Sequence, residues 1–379
     1  MSPRGDRIAF FEHPLRWDDR GSVNVVDMHG KKTVLSEGYA GEEGIAWTRD
    51  GSEILFSASY GGTAWTIYAV TLAGRRRVAL QSAGGLTIHD VAPDGRWLTT
   101  RDDLRSGLMV HRPEWSEDRD LSWLDFSAGG MLTRDGKTLV FKEESGAMGT
   151  NYATCLRKID GAPVVRLGEG SPVDVSPDDK WVLVSVPSTP PVLALCPIGA
   201  GQSRQLERGN MQNYAAAEFF PDGKSVLIVG NETGKGARCF VQEISGGAPR
   251  AVTPEGTRNG KLSPDGKFIL AIGPDSEYGI FPLAGGDPQP APGLATADVV
   301  IRWSADGRSV LVTHATTIPC RVERVDLATG RRTLFKEIAP ANKTGLLSIS
   351  PNYISDDEES YVYEISRQIS SLFVAERKK

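Results

Sequence analysis

The sequence is short of the residues that most chemistries need. It has four cysteines, five histidines and 8% aromatic residues in 379 positions. No stretch approaches the ~20 consecutive apolar residues of a membrane span, and Met1-Ser2-Pro3-Arg4-Gly5-Asp6-Arg7 carries no apolar signal core. The chain as it stands is therefore expected in the cytoplasm, without membrane insertion. Excess positive charge is also missing: the net charge is −5 and the pI about 5.7. A nucleic-acid partner, which calls for a basic face, is excluded on that ground, and Arg75-Arg76-Arg77 reads as a solvated edge strand.

Catalytic motifs are missing as well. There is no Gly-x-Ser-x-Gly elbow, no His-Glu-x-x-His pair and no Cys-x-x-Cys pair. Gly230-Asn231-Glu232-Thr233-Gly234-Lys235-Gly236 has three residues between its glycines and a glycine after its lysine, so it cannot cradle phosphate as a P-loop does. No cofactor is implied. Cys155, Cys196, Cys239 and Cys320 fall on equivalent strands of four different repeats. Packed sheets stand ~10 Å apart and a disulfide needs Cα atoms within ~7 Å, so all four read as small buried hydrophobes, in keeping with a reducing compartment.

What the chain does have is a repeat. Ser263-Pro264-Asp265-Gly266 is its purest copy. Variants end at positions 5, 51, 95, 136, 179, 223 and 307, at steps of 41 to 46 residues. Proline presets φ for a type I turn, aspartate bonds its own backbone two residues on, and glycine takes the left-handed conformation. Asp179 stands in for that glycine in one copy, aspartate being one of the few residues that tolerate the conformation. A short apolar strand follows every turn, for example Leu139-Val140-Phe141 and Val310-Leu311-Val312. Two further strands complete each repeat, the last one polar and basic as befits a guarded edge.

A fixed period of this size with four strands per repeat predicts an all-β fold, a β-propeller of four-stranded antiparallel blades. Residues 1–379 are read as a single propeller domain. The preferred count is eight blades, with the partial first and last repeats sharing or completing a blade. Nine blades, two of them three-stranded, would use every strand, and seven would leave the ends hanging. The first repeat lacks the strand before its turn, so the chain reads as cut from a longer protein. The last repeat has a stretched turn from Ser350-Pro351-Asn352 to Asp357, and its acidic run Asp356-Asp357-Glu358-Glu359 reads as solvated.

The candidate ligand residues follow from strand direction. If the Ser-Pro-Asp-Gly turns occupy one face, the loops after the second strands occupy the other and ring the channel mouth. That places Asp102-Asp103, Glu143-Glu144, Asn231-Glu232, His13 and His314 there. His89, next to Asp90 on an inner strand, is the best-placed channel-facing histidine. Paired carboxylates can hold a cation or act as acid and base, but only if two such loops converge. The plainer reading is solvated loop charge for the carboxylates and a structural role for the histidines. No catalytic or metal-binding residue is assigned.

The Ser-Pro-Asp-Gly hairpin followed by an apolar strand resembles the TolB-type, WD-repeat-like propeller repeat over nearly the whole chain. A narrower resemblance rests on Asp120-Leu121-Ser122-Trp123, Asn151-Tyr152, Leu156-Arg157-Lys158, Val252-Thr253-Pro254-Glu255-Gly256, the run Ile301–Ser309, the run Arg324–Arg332, and the ending from Ser360-Tyr361-Val362-Tyr363 to Leu372-Phe373-Val374-Ala375-Glu376. These are similar to the arrays C-terminal to eukaryotic-like serine/threonine kinases of soil bacteria. The resemblance implies a sensor or interaction module. The chain departs from the group in having no kinase motifs, so kinase activity does not carry over. The expected function is a non-catalytic binding propeller, a monomer presenting one face to a protein or small ligand. The alternative is a propeller lyase or hydrolase with a metal or carboxylate site at the channel mouth.

Overall fold

The structure, a computed structural model, describes residues 1–13, 19–82, 84–149, 151–314 and 317–376. One 3-10 turn, Gly146–Met148, is the only helix among them. No helix among the described residues is long and apolar enough to cross a membrane.

Eight antiparallel sheets account for the strands. The first holds β1 (Arg7–Glu12), β2 (Gly21–Asp27) and β3 (Lys32–Tyr39). The second holds β4 (Gly41–Trp47), β5 (Glu53–Ser59), β6 (Thr66–Thr71) and β7 (Arg76–Leu80). Next in the chain come β8 (Gly85–Val91), β9 (Trp97–His111) and β10 (Arg119–Asp120). Five regular sheets follow, each in chain order. They are β11 (Ser127–Leu132), β12 (Thr138–Glu143), β13 (Ala153–Lys158) and β14 (Val165–Glu169); then β15 (Ser171–Val175), β16 (Trp181–Val186), β17 (Val192–Pro197) and β18 (Arg204–Gln205). After these come β19 (Met211–Phe219), β20 (Ser225–Glu232), β21 (Arg238–Glu243) and β22 (Arg250–Ala251), and then β23 (Arg258–Leu262), β24 (Phe268–Ile272), β25 (Tyr278–Pro282) and β26 (Gln289–Pro290). The fifth is β27 (Val299–Trp303), β28 (Ser309–Thr313), β29 (Cys320–Asp326) and β30 (Arg332–Ile338). The chain ends in β31 (Leu346–Ile354) and β32 (Tyr361–Ala375).

The turn chemistry is as the repeat predicts. At Ser263 the hydroxyl donates to Asp265 Oδ1 at 2.7 Å and accepts the N–H groups of Lys267 and Phe268. Gly266 has φ +69° and Asp179 φ +55°. The last corner lies later than the sequence reading placed it. β31 runs on through Pro351, and the turn is Ser355-Asp356-Asp357-Glu358, with Glu358 at φ +62°.

The arrangement of the sheets corrects the expectation of eight blades around one axis. Six first strands, β11, β15, β19, β23, β27 and β31, adjoin one another in that order, and β31 returns to β11. The sixth sheet of this ring is assembled from distant segments in the order β31–β32–β9–β10. The two remaining sheets, led by β1 and β4, form a lateral arm together with β8, which pairs with β9 of the sixth sheet; β4 packs between β1 and β8. Arm and ring share β9 and β32. Residues 97–102 of β9 pair with β8, and all fifteen pair with β32 in one unbroken register from Tyr361↔His111 to Ala375↔Trp97. The local sequence permits this, with no proline and a single glycine from Leu98 to His111, and β32 supplies a partner along the whole length. Asp102 and Asp103 thus lie inside a strand, not in a loop.

Among the described residues the apolar core is divided into separate clusters. Apolar clusters sit between successive sheets, such as Leu183, Leu195, Val226, Ile228 and Phe240, as a repeat architecture requires. The four cysteines lie on third strands, are free and are buried. Burial pushes the Cys239 thiol up to about 12.

Candidate functional site

A cavity of about 630 Å³ lies in the channel inside the six-sheet ring, and every inner strand of the ring contributes to its wall. One position repeats. Met131, Asp174, Glu218, Lys261, Arg302 and Tyr353 each stand two residues before the first residue of a corner and all line the cavity. They pair with Val140, Leu183, Leu227, Leu270, Leu311 and Val362, the same register step on each second strand. In every inner strand a register shift precedes this position. Such bulges re-aim a side chain.

The second residues of the six corners also line this cavity: Arg134, Pro177, Pro221, Pro264, Ala305 and Asp356. The cavity therefore opens among the corners, on the face opposite to the one the sequence reading chose. Three corners keep proline. Arg134 and Asp356 replace it on neighbouring sheets and pair at 2.7 Å.

The charged wall residues are bonded from blade to blade. Asp174 Oδ2 accepts the N–H of Phe219 at 2.7 Å, and its Oδ1 that of Val175 at 2.8 Å. Glu218 accepts the N–H of Leu262, one blade on, and lies 3.6 Å from Lys261 Nζ. Arg302 donates to the Ile354 carbonyl and to Asp356 Oδ1, both at 2.8 Å. Burial pushes the Asp174 carboxyl up to about 6; Glu218 adds to the push, against the two N–H groups and Lys261. Burial also pushes the Tyr353 phenol up to about 12. Asp356 is exposed, as the sequence reading expected of this run, but is paired with Arg134 and Arg302, and Glu358 pairs with Arg324.

The ten residues picked from sequence lie outside this cavity and do not form one site, although His89 and Asp102 come together through Thr100 Oγ1. His89 is exposed on β8 of the arm, its Nε2 2.9 Å from Thr100 Oγ1, and Asp90 bonds the N–H of Val91. His13 lies 3.9 Å from Glu42. Asp102 accepts hydrogen bonds from Thr87, Thr100, Ser370 and Gln368; burial alone would raise its pKa, but these bonds outweigh it and hold it below the usual range. Asp103 pairs with Arg105 at 3.0 Å. Glu143 is fully buried and accepts from Ser127 Oγ and from the N–H groups of Leu124, Phe126 and Ser145. Glu144 pairs with Lys142, Asn231 with Gln212, and Glu232 with Lys235 and Arg238. His314 lies 3.2 Å from Asp298, which Arg332 clamps. Among the described residues no group of three or more His, Cys, Asp or Glu could hold a metal ion.

Sequence reasoning missed the cavity wall. Its signal was available: lining up the repeats two residues ahead of each corner gives Asp, Glu, Lys and Arg in four successive copies, on strands otherwise rich in apolar residues. A second missed residue is Glu42 of β4. Its side chain is wholly buried, neither carboxyl oxygen has a hydrogen-bond partner among the described residues, and burial, with Asp19 nearby, pushes it up to about 8.

Sheets of this kind around a channel define a β-propeller fold. No family model matches the chain, and no curated protein matches it. Among solved structures it is similar to a putative TolB from Agrobacterium tumefaciens, at 15% identity over 89% of this chain and 94% of that one, TM-score 0.39. TolB from Acinetobacter baumannii is 16% identical over 88% of this chain and 64% of that one, TM-score 0.33. A puromycin-hydrolyzing peptidase from Mycobacterium tuberculosis is 16% identical over 82% of this chain and 57% of that one, TM-score 0.46. The chain thus spans less than two thirds of the length of the last two, and these likenesses concern the fold alone.

Proposed function

We propose that this propeller is a non-catalytic binding module whose ligand site is the channel cavity on the corner face. One observation carries the reading: a single structural position, repeated on six strands, is apolar or aromatic on two of them and charged on the other four. A position that served only packing would be filled with one residue type. The cavity size fits a small ligand or the tip of a protein segment. A sensing role beside a separate catalytic domain, as in the kinase-borne arrays the sequence resembles, belongs to the same proposal. The wall charges are already held by backbone N–H groups and by each other, an arrangement that suits pre-organised recognition.

The test is a thermal-shift screen of small polar compounds on the wild type and on Ala305→Trp, which fills the cavity mouth from an exposed corner. Compounds that raise the melting temperature of the wild type and not of the variant support the proposal. Compounds that stabilise both equally, or a screen without any stabiliser, overturn it.

A further inference from the structure

The cavity wall divides by charge. On the arc of β15, β19 and β23 stand two carboxylates, Asp174 and Glu218, with one ammonium, Lys261. On the arc of β27, β31 and β11 stand two guanidinium groups, Arg302 and Arg134, with one carboxylate, Asp356. The internal pairing follows this division: Lys261 reaches Glu218, and Asp356 lies between both arginines. By direct contacts each arc is therefore one counter-charge short, with opposite sign; Asp174 and Arg134 attract each other across the β11–β15 seam, but no ion pair or hydrogen bond joins them among the described residues. Leaving partly desolvated charge without a partner is costly, and a ligand can supply both missing charges at once.

Building on the channel as the ligand site, we propose that the cavity takes a small dipolar ligand carrying one ammonium and one carboxylate, the chemistry of a free amino acid or a short peptide. The ammonium lies toward Asp174 and Glu218. Each of these carboxylates spends some of its lone pairs on backbone N–H groups and keeps others for a cation. The carboxylate lies toward Arg134 and Arg302. Each guanidinium has five N–H donors in a flat fork; Asp356 takes one from Arg134, and Asp356 with the Trp303 and Ile354 carbonyls takes three from Arg302, so both keep donors for a carboxylate. Met131 on β11 stands where the two arcs meet and Tyr353 on β31 stands in the middle of the basic arc, and both offer largely apolar surface to the ligand.

The experiment is calorimetry at neutral pH with four probes: alanine, trialanine, N-acetyl-trialanine and trialanine amide. Binding of a free probe is expected, and each cap weakens trialanine by ~10-fold or more, the worth of a hydrogen bond to a charged group. Binding of trialanine but not alanine assigns a short peptide; binding of both assigns a free amino acid. Glu218→Gln keeps an acceptor for Leu262 and should abolish the penalty of the acetyl cap alone. Arg134→Gln, on an exposed corner, should abolish the penalty of the amide cap alone. Melting curves establish that each variant is folded. Equal binding of free and capped probes, or no binding of either free probe at millimolar concentration, overturns the dipolar assignment. If the wider screen still finds compounds blocked by Ala305→Trp, the channel stands as the site and only the ligand class falls; if it finds none, both fall.

Discussion

Arg134 and Asp356 meet at 2.7 Å across the seam between the first and last sheets of the ring, each at the corner position that proline holds in three neighbours. The pair is half-exposed, so its contribution to stability is small, ~0–1 kcal/mol. Its effect on the cavity is larger, because Asp356 is ion-paired with both arginines. Asp356→Asn should lower the melting temperature by a few degrees at most and strengthen the binding of a carboxylate probe. Paired melting and titration curves check this; a large loss of stability without a change in binding would make the pair a closure device only.

Asp179 balances two opposing terms. Its left-handed φ costs ~1 kcal/mol, which glycine would relieve. Its carboxylate also accepts the N–H groups of Arg134 and Asp135 at 2.7 and 3.1 Å, worth ~1 kcal/mol each but exposed enough for water to replace in part. Asp179→Gly should therefore fall within ~1 kcal/mol of the wild type. Asp179→Ala, which keeps the strain and loses the bonds, should lose ~1–2 kcal/mol. Urea unfolding of the two variants gives the order.

Glu42 should make stability depend on pH. In the unfolded chain it loses its proton near 4.5, but in the folded protein only near 8. Between these values the native state binds more protons than the unfolded state, so stability falls as pH rises through that window. The loss is on the order of 3 kcal/mol by pH 8. Glu42→Gln should flatten the curve and be more stable than the wild type at pH 8. Parallel pH–stability profiles decide, and identical slopes would remove Glu42 as the cause.

Glu143 should behave as a structural residue. Removing a buried carboxylate that satisfies three N–H groups and a hydroxyl orphans all four donors. Glu143→Ala should cost ~3 kcal/mol or more, without changing the affinity of any cavity ligand. Denaturant unfolding and titration of the same variant separate the two effects.

The sequence declared the repeat because each corner is local chemistry, four residues and their own hydrogen bonds. Even the exception at Asp179 was legible. Closure was not. Whether Leu98–His111 folds into a hairpin or runs on as one strand depends on what waits beside it, and its partner, β32, lies some 260 residues away. The face of the cavity was hidden for a different reason. Periodicity treats both ends of a channel alike, so the second-strand loops of Glu143 and Asn231 looked as well placed as the corners. Only the packed ring shows that Arg134, Asp174 and Arg302 share one space.

The fifteen consecutive pairs between β9 and β32 have a mechanical side. They run without interruption from the arm into the ring, so any pull between the two loads these backbone bonds together, in shear, and not one after another. The arm is in effect welded to the propeller along a beam, and a movement started at its tip would be delivered to the sheet that carries Tyr353 and Asp356 without a joint in between.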